Sequence, residues 1–324
     1  KSATRRSRTI TSRDMSLGNL RGISQTVSKE ENIVGMPPAL TEEYGTKILD
    51  VYKHACARTD KVSQFRSWME GYLKGYLQGR LTEKEAKHLE TVFTPSHRRT
   101  FESIIRVAKE QSFEKRGGYK LKPGFGDNYT EINDPNHPSK LGTKMRIQDG
   151  REVVVTYKEY FTFTPTTQDP GEILIEANRF YTALFLAYQK LQKMGSLNGA
   201  GVAMKFKDNL DGLMRDLDSV VFYVDNPQAG KLVRQVVDGE LKAAKLRTDR
   251  VGRAGTGFDL EFPNGDAFSH RQLISKAVAK VIDEDYRGKR VILNKTPKWL
   301  GESIEQRCNQ AGKLTPEQMV QAIA

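Results

Sequence analysis

The sequence predicts an α+β protein: an N-terminal helical subdomain, then a largely antiparallel sheet flanked by helices. Three observations carry this. Apolar residues recur at helical spacing from Pro38 to about residue 113. A Gly-, Pro- and Asn-rich stretch follows, and beyond it runs of period two take over. Those runs come in neighbouring groups, strand beside strand, instead of alternating one for one with helices.

Residues 1–37 are rich in Ser, Thr and Arg, poor in aromatics and without periodicity, and are expected to be a disordered basic tail. Residues 38–114 are expected to form the helical subdomain. In TEEYGTKILDVYKHACA, Thr41 is a good N-cap, and Tyr44, Ile48, Val51, Tyr52 and Ala55 form one stripe. Phe65, Trp68, Met69, Tyr72 and Tyr76 form the next. Thr82 and Glu85 read as a capping box, and Ser96 as the cap of a fourth helix carrying Phe101, Ile104, Ile105 and Ala108. Residues 115–142 are expected to be a loop or linker. Residues 143–290 make the α+β domain. Asp149-Gly150 between MRIQ and REVVVTY is a hairpin signal. YFTFT and GEILIEA read as further strands, followed by an apolar helix over about 179–193. VAMKFK and SVVFYV are strands, QAGKLVRQVVDGELKAAK a helix, RVGRAGTGFDLEF a glycine-rich loop and FSHRQLISKAVAKVID a helix. Residues 291–324 are C-terminal helices, the last opened by Thr315-Pro316.

Composition narrows the function. The net charge of +12 favours polyanionic partners. Residues 1–29 hold seven of the cations against Asp14 alone, so half of that charge belongs to the tail. Cys56 and Cys308 lie far apart with no ligand spacing, and the five histidines form no pair suited to zinc. No apolar run reaches the roughly 20 residues of a membrane span. No nucleic-acid-binding motif is present, which argues against nucleic acid as the partner.

The unusual feature is the placement of cations in strands. Alternation puts Val202, Met204 and Phe206 on one face of VAMKFK, and Ala203, Lys205 and Lys207 on the other. Lys158, Tyr160 and Thr162 share a face of YKEYFTFT. SVVFYV is apolar on both faces, as a central strand is, with Tyr223 offering a hydroxyl. Arg215 stands in the turn before it, and His270-Arg271 at a helix start, where backbone N–H groups attract anions. One reading is ordinary: solvent-facing lysines, and Arg215 paired with Asp211 or Asp218. The other is a phosphate site. Elimination of phosphate from phosphoserine or phosphothreonine needs a neutral base for the Cα proton, cations for the phosphate and an acid for the leaving oxygen. It needs no metal or cofactor.

These residues resemble a known family. GEILIEANRFYTALFLAY, MKFK with RDLDSVVFYVDNPQAGKLVRQV, and GTGFDLEF with GDAFSHRQLISKAV are similar to HopA-type type III secretion effectors of plant-associated bacteria. They also resemble the HopA-like lyases of lanthipeptide biosynthesis. The resemblance spans residues 150–282, and Lys207, Asp218, Tyr223, His270 and Arg271 fit its slots. It implies a cofactor-independent phosphothreonine or phosphoserine lyase acting on a phosphorylated host protein or peptide. Lys207 would be the base, Lys205 would lower its pKa, and His270 would be the acid. Arg215, Arg271, Tyr223 and Lys158 would bind the phosphate. It further implies delivery by a bacterium into the host cytoplasm, with a secretion chaperone on the N-terminal segment. The alternative from another class is a non-catalytic effector or binding protein that grips a phosphoprotein, chaperone or other polyanion through its basic surface.

Overall fold

The computed structural model describes residues 33–34, 36–57, 62–112, 120–123, 129–133, 141–147, 150–194, 201–247, 250–251, 255–289 and 295–324. The expected tail lies outside the described residues as far as residue 32. Beyond it, β1 (Ile33–Val34) pairs in parallel with β8 (Arg250–Val251). Met36 is buried, and its N–H donates to Glu305 at 3.2 Å.

Four helices precede the sheet: α1 (Pro38–Ala57), α2 (Val62–Gln78), α3 (Glu83–Val92) and α4 (Pro95–Ser112). The capping box of α3 forms as its sequence demands, Thr82 accepting from the Glu85 N–H and Glu85 returning to the Thr82 N–H. The stretch expected as a linker contributes two strands, β2 (Lys120–Pro123) and β3 (Tyr129–Asn133). Four- and five-residue strands among Gly, Pro and Asn give too short a periodic signal to read. Pairing with a long neighbour supplies the stability that they lack alone.

The hairpin of β4 (Thr143–Arg146) and β5 (Glu152–Phe161) forms at the Asp-Gly signal. Gly150 takes the positive φ that its turn requires, at 85°. GEILIEA is not a strand. It is the first half of α5 (Pro170–Lys193), because Asp169 caps the Glu172 N–H, Pro170 occupies N1, and Ile173, Leu174 and Ala177 share a buried stripe. Then come β6 (Val202–Lys207), the short α6 (Leu210–Arg215), β7 (Val220–Val224) and α7 (Pro227–Ala243). The glycine-rich stretch ends in a strand, β9 (Thr256–Glu261), which pairs with β10 (Ala267–Phe268). Three helices close the described chain: α8 (His270–Lys289), α9 (Pro297–Ala311) and α10 (Pro316–Ile323).

The main sheet is antiparallel throughout, in the order β10-β9-β5-β7-β6-β3-β2. β9 occupies one edge of β5, so β4 and β7 share the other, β4 pairing its first residues and β7 its last. β7 is central, as its two apolar faces predict. On one face, Phe161, Met204, Phe206 and Phe222 pack against α5 and α7, and with Phe93 and Phe101 from the α3–α4 region. Rings such as Phe185 and Phe206, 5.2 Å apart, interlock there. Each contributes roughly 1.5–3 kcal/mol on burial. Helices α1, α2, α8, α9 and α10 form a second cluster with the β5–β9 end of the sheet, including Tyr160 and Val221 of the opposite face. The N-terminal helices are thus shared between two cores.

Asp225, at the end of β7, ties the connections around β6 and β5. Its two oxygens accept from the Gly142 and Gly201 N–H groups, each at 2.8 Å. Asp225→Ala is expected to lower unfolding stability by about 2 kcal/mol, since it removes two bonds to a charged acceptor in a partly wet place. Urea unfolding with an unchanged m-value checks this; a loss under 0.5 kcal/mol would show that these bonds hold nothing.

Candidate functional site

The register places the strand cations on one surface. Ala203, Tyr223, Lys158 and Gly257 stand side by side across β6, β7, β5 and β9. Lys205, Val221 and Tyr160 form the adjoining row. This is the face away from α5 and α7. The N-terminus of α8 delivers His270 and Arg271 to its β5–β9 end. Ser269 starts that helix, its N–H donating to the Gln272 side chain at 2.8 Å.

Lys158 is the centre of the cluster. Its ammonium meets Asp259 of β9 at 2.5 Å and lies 4.7 Å from the centre of the Tyr223 ring. Asp259 also accepts the backbone N–H of His270 at 3.1 Å, so one carboxylate joins β5, β9 and the start of α8. Arg271 pairs with Asp218 at 3.0 Å and stacks over the buried ring of Tyr160, 5.2 Å away. Gly257 makes room for this. A Cβ there would lie 2.8 Å from the His270 ring and 2.9 Å from Tyr160, so the imidazole rests on bare backbone.

His270 is buried, and among the described residues its Nδ1 has no hydrogen-bond partner. Burial pushes its pKa down to about 3, and the neighbouring cations Lys158 and Arg271 push the same way. It is therefore a neutral imidazole at physiological pH. One oxygen of Asp218 is likewise buried without a partner. Burial raises the Tyr160 hydroxyl pKa, and Asp259 adds to the effect.

The remaining sequence candidates divide. Lys205 is half-exposed on the same face. Lys207 shares that face by register but is 2% exposed. Its stem runs beneath α6, with an added Cβ at Gly212 only 3.0 Å from its Cδ, and its ammonium is held by Asp216. Arg215 turns away from the cluster to pair with Glu90 of α3 at 3.2 Å. Asp211, one of its expected partners, holds Arg98 instead, and Asp218 holds Arg271. A guanidinium at the last position of a short helix can swing to either side, and local sequence does not choose between them.

Sequence reasoning missed Asp259, Asp216 and the buried Arg80. Asp259 was concealed inside a stretch read as loop, although FDLE alternates as a strand does. Asp216 follows α6, a helix too short to show a period. Arg80 sits at the exit of α2 and has no signal beside it.

Among the described residues, no group of three or more His, Cys, Asp and Glu is arranged to hold a metal ion, and no helix is long and apolar enough to cross a membrane. Comparison with models of protein families finds no match to the chain, and comparison with curated proteins finds no similar sequence.

The low pKa of His270 has a testable consequence. The unfolded chain binds a proton on this residue near pH 6.5 and the folded protein does not, so the stability is present above pH 6.5 and is lost as pH falls towards 3. Between pH 7 and pH 5 this single group is expected to cost about 2 kcal/mol. His270→Gln removes the group, so its unfolding free energy should fall less over that interval. Equal pH dependence in the two proteins would mean that folding leaves the His270 pKa at its unfolded value.

Proposed function

We propose that the lysine-bearing face binds the phosphate of a phosphorylated serine or threonine and eliminates it, leaving a dehydroamino acid. What supports this most is the gathering of Lys158, Arg271 and a neutral His270 around one patch of sheet. Cations bind the phosphate, arginine with a planar fork suited to its oxygens. Burial depresses the His270 pKa most and the charges of Lys158 and Arg271 add to it; a phosphate dianion beside the ring offsets those two charges and, as a close counter-charge, favours the imidazolium. Binding therefore draws a proton onto the imidazole, which can then pass it to the leaving oxygen.

A neutral lysine of β6 takes the Cα proton, the Cα–H electrons form the Cα=Cβ bond, and the Cβ–O bond breaks with its electrons going to oxygen. Protonated His270 neutralises that oxygen, so hydrogen phosphate departs. Lys205 is the more accessible of the two, being half-exposed and opposite Glu131 of β3, whereas Lys207 is enclosed with Asp216. Tyr223, stacked on Lys158, lines the phosphate position. Arg215 has no part in this arrangement. The resemblance to HopA-type effectors makes the substrate a host phosphoprotein, met after secretion from a bacterium. One observation favours the non-catalytic alternative: Lys158, Lys207 and Arg271 each hold an aspartate. A phosphate must compete with those carboxylates.

Mass spectrometry of phosphothreonine and phosphoserine peptides incubated with the protein tests the reaction. Loss of phosphoric acid to give an alkene is expected. Lys158→Ala and Arg271→Lys should weaken peptide binding by about 1–3 kcal/mol each. His270→Ala should slow turnover by ~10²–10⁴. Lys205→Ala should abolish turnover and leave binding in place. An alcohol product would instead identify a phosphatase. Unaltered peptides that still bind in a Lys158-dependent manner would establish the binding protein.

A further inference from the structure

Two of the three aspartates that hold cations of this face stand on one short segment, and that segment is fastened from outside the sheet. Asp216 pairs with Lys207, and Asp218 with Arg271. Between them, the Leu217 N–H donates to the Gln78 carbonyl at 2.9 Å, and the Leu217 carbonyl accepts from the Thr162 hydroxyl. Next to them, Ser219 accepts from the Phe163 N–H at 2.9 Å, and its carbonyl accepts from the Lys207 N–H at 2.9 Å.

Arg80 closes this arrangement. It follows α2 directly and is buried. Its guanidinium donates to the Met214 carbonyl at 2.5 Å, to the Leu213 carbonyl at 3.3 Å and to the Phe163 carbonyl. Its backbone N–H donates to the Arg215 carbonyl at 3.1 Å. Three of those acceptors are the final carbonyls of α6, which have no partner within the helix. A cation there is also favoured by the helix dipole. A buried arginine is costly, and a fold that only needed to cap α6 could use water or a glycine. Here the arginine bonds α6 on one side and the end of β5 on the other, and the aspartates follow immediately.

We infer that Arg80 is a positioning residue: it fixes the 216–219 segment so that Asp216 and Asp218 hold Lys207 and Arg271 in the site. The role of that site in phosphate chemistry rests on the function proposed above, but the clamp itself does not.

Two variants test it. Arg80→Met removes every donor of the side chain at similar volume. Arg80→Lys keeps the charge and fewer donors. The readout is the labelling rate of individual side chains: lysines with an acylating reagent and arginines with a dicarbonyl, followed by peptide mass spectrometry. In Arg80→Met, Lys207 and Arg271 should label at least ~10-fold faster, a shift in local opening of about 1.4 kcal/mol. Lys190 and Lys231, distant from the segment, should keep their wild-type rates. Arg80→Lys should fall between the two proteins. The inference is overturned if Lys207 and Arg271 label as in wild type, or if all lysines accelerate together, which would mean general loss of stability. Inorganic phosphate affinity is measured alongside. Wild-type binding weakened ~10-fold in Arg80→Met supports both claims. If wild type binds no phosphate, the phosphate reading falls, and the labelling still decides the role of Arg80.

Discussion

Burying several cations on one face of a sheet is possible only if carboxylates meet them. A buried ammonium left without an acceptor would deprotonate, and a guanidinium left so would unfold its surroundings; Arg80 avoids this through backbone carbonyls and the sheet lysines through carboxylates. The fold answers with three aspartates from two places: Asp259 from β9, and Asp216 and Asp218 from the segment entering β7. Much else follows from them. Asp259 fixes the start of α8 through the His270 N–H. Asp218 orients Arg271 over Tyr160, and Asp216 draws Lys207 beneath α6. Gly257 leaves the gap that admits the imidazole, and without it the ring could not rest on β9.

The same pairs decide the chemistry. Asp259 and Asp218 hold Lys158 and Arg271 at fixed positions, and any anion reaching those cations must compete with the two carboxylates. His270 carries the opposite bias. It is enclosed beside two cations with Nδ1 unpartnered, so it is neutral and accepts a proton only when negative charge arrives.

Much of the fold could be read from the sequence, because its signals are local. The capping box at Thr82, the Asp-Gly turn and the alternation of VAMKFK each act within a few residues. The failures occurred where a distant partner decides. GEILIEA has enough β-branched and apolar residues for a strand, but the cap at Asp169 and the continuous stripe into FYTALFLAY make it helix. β2 and β3 owe their pairing to β6. Within the site, alternation put Lys205 and Lys207 on one face of their strand and Lys158 with Tyr160 on one face of theirs; the register then brings those faces together. It could not show that α6 covers Lys207, nor that Arg215 turns to Glu90, since both depend on how helices settle on the sheet. Long-range partners such as Asp259 for Lys158 have no imprint at short spacing.

The most direct measurement follows the ring signals of isotopically labelled histidine as pH is lowered, with and without inorganic phosphate. His270→Gln assigns the resonance. If the face is a phosphate site, His270 titrates near pH 3 in the free protein, and phosphate at saturation raises that value by roughly three pH units or more, into the range where the phosphate dianion exists. An unchanged His270 titration in protein that has bound phosphate would contradict the account, because the anion would then lie elsewhere.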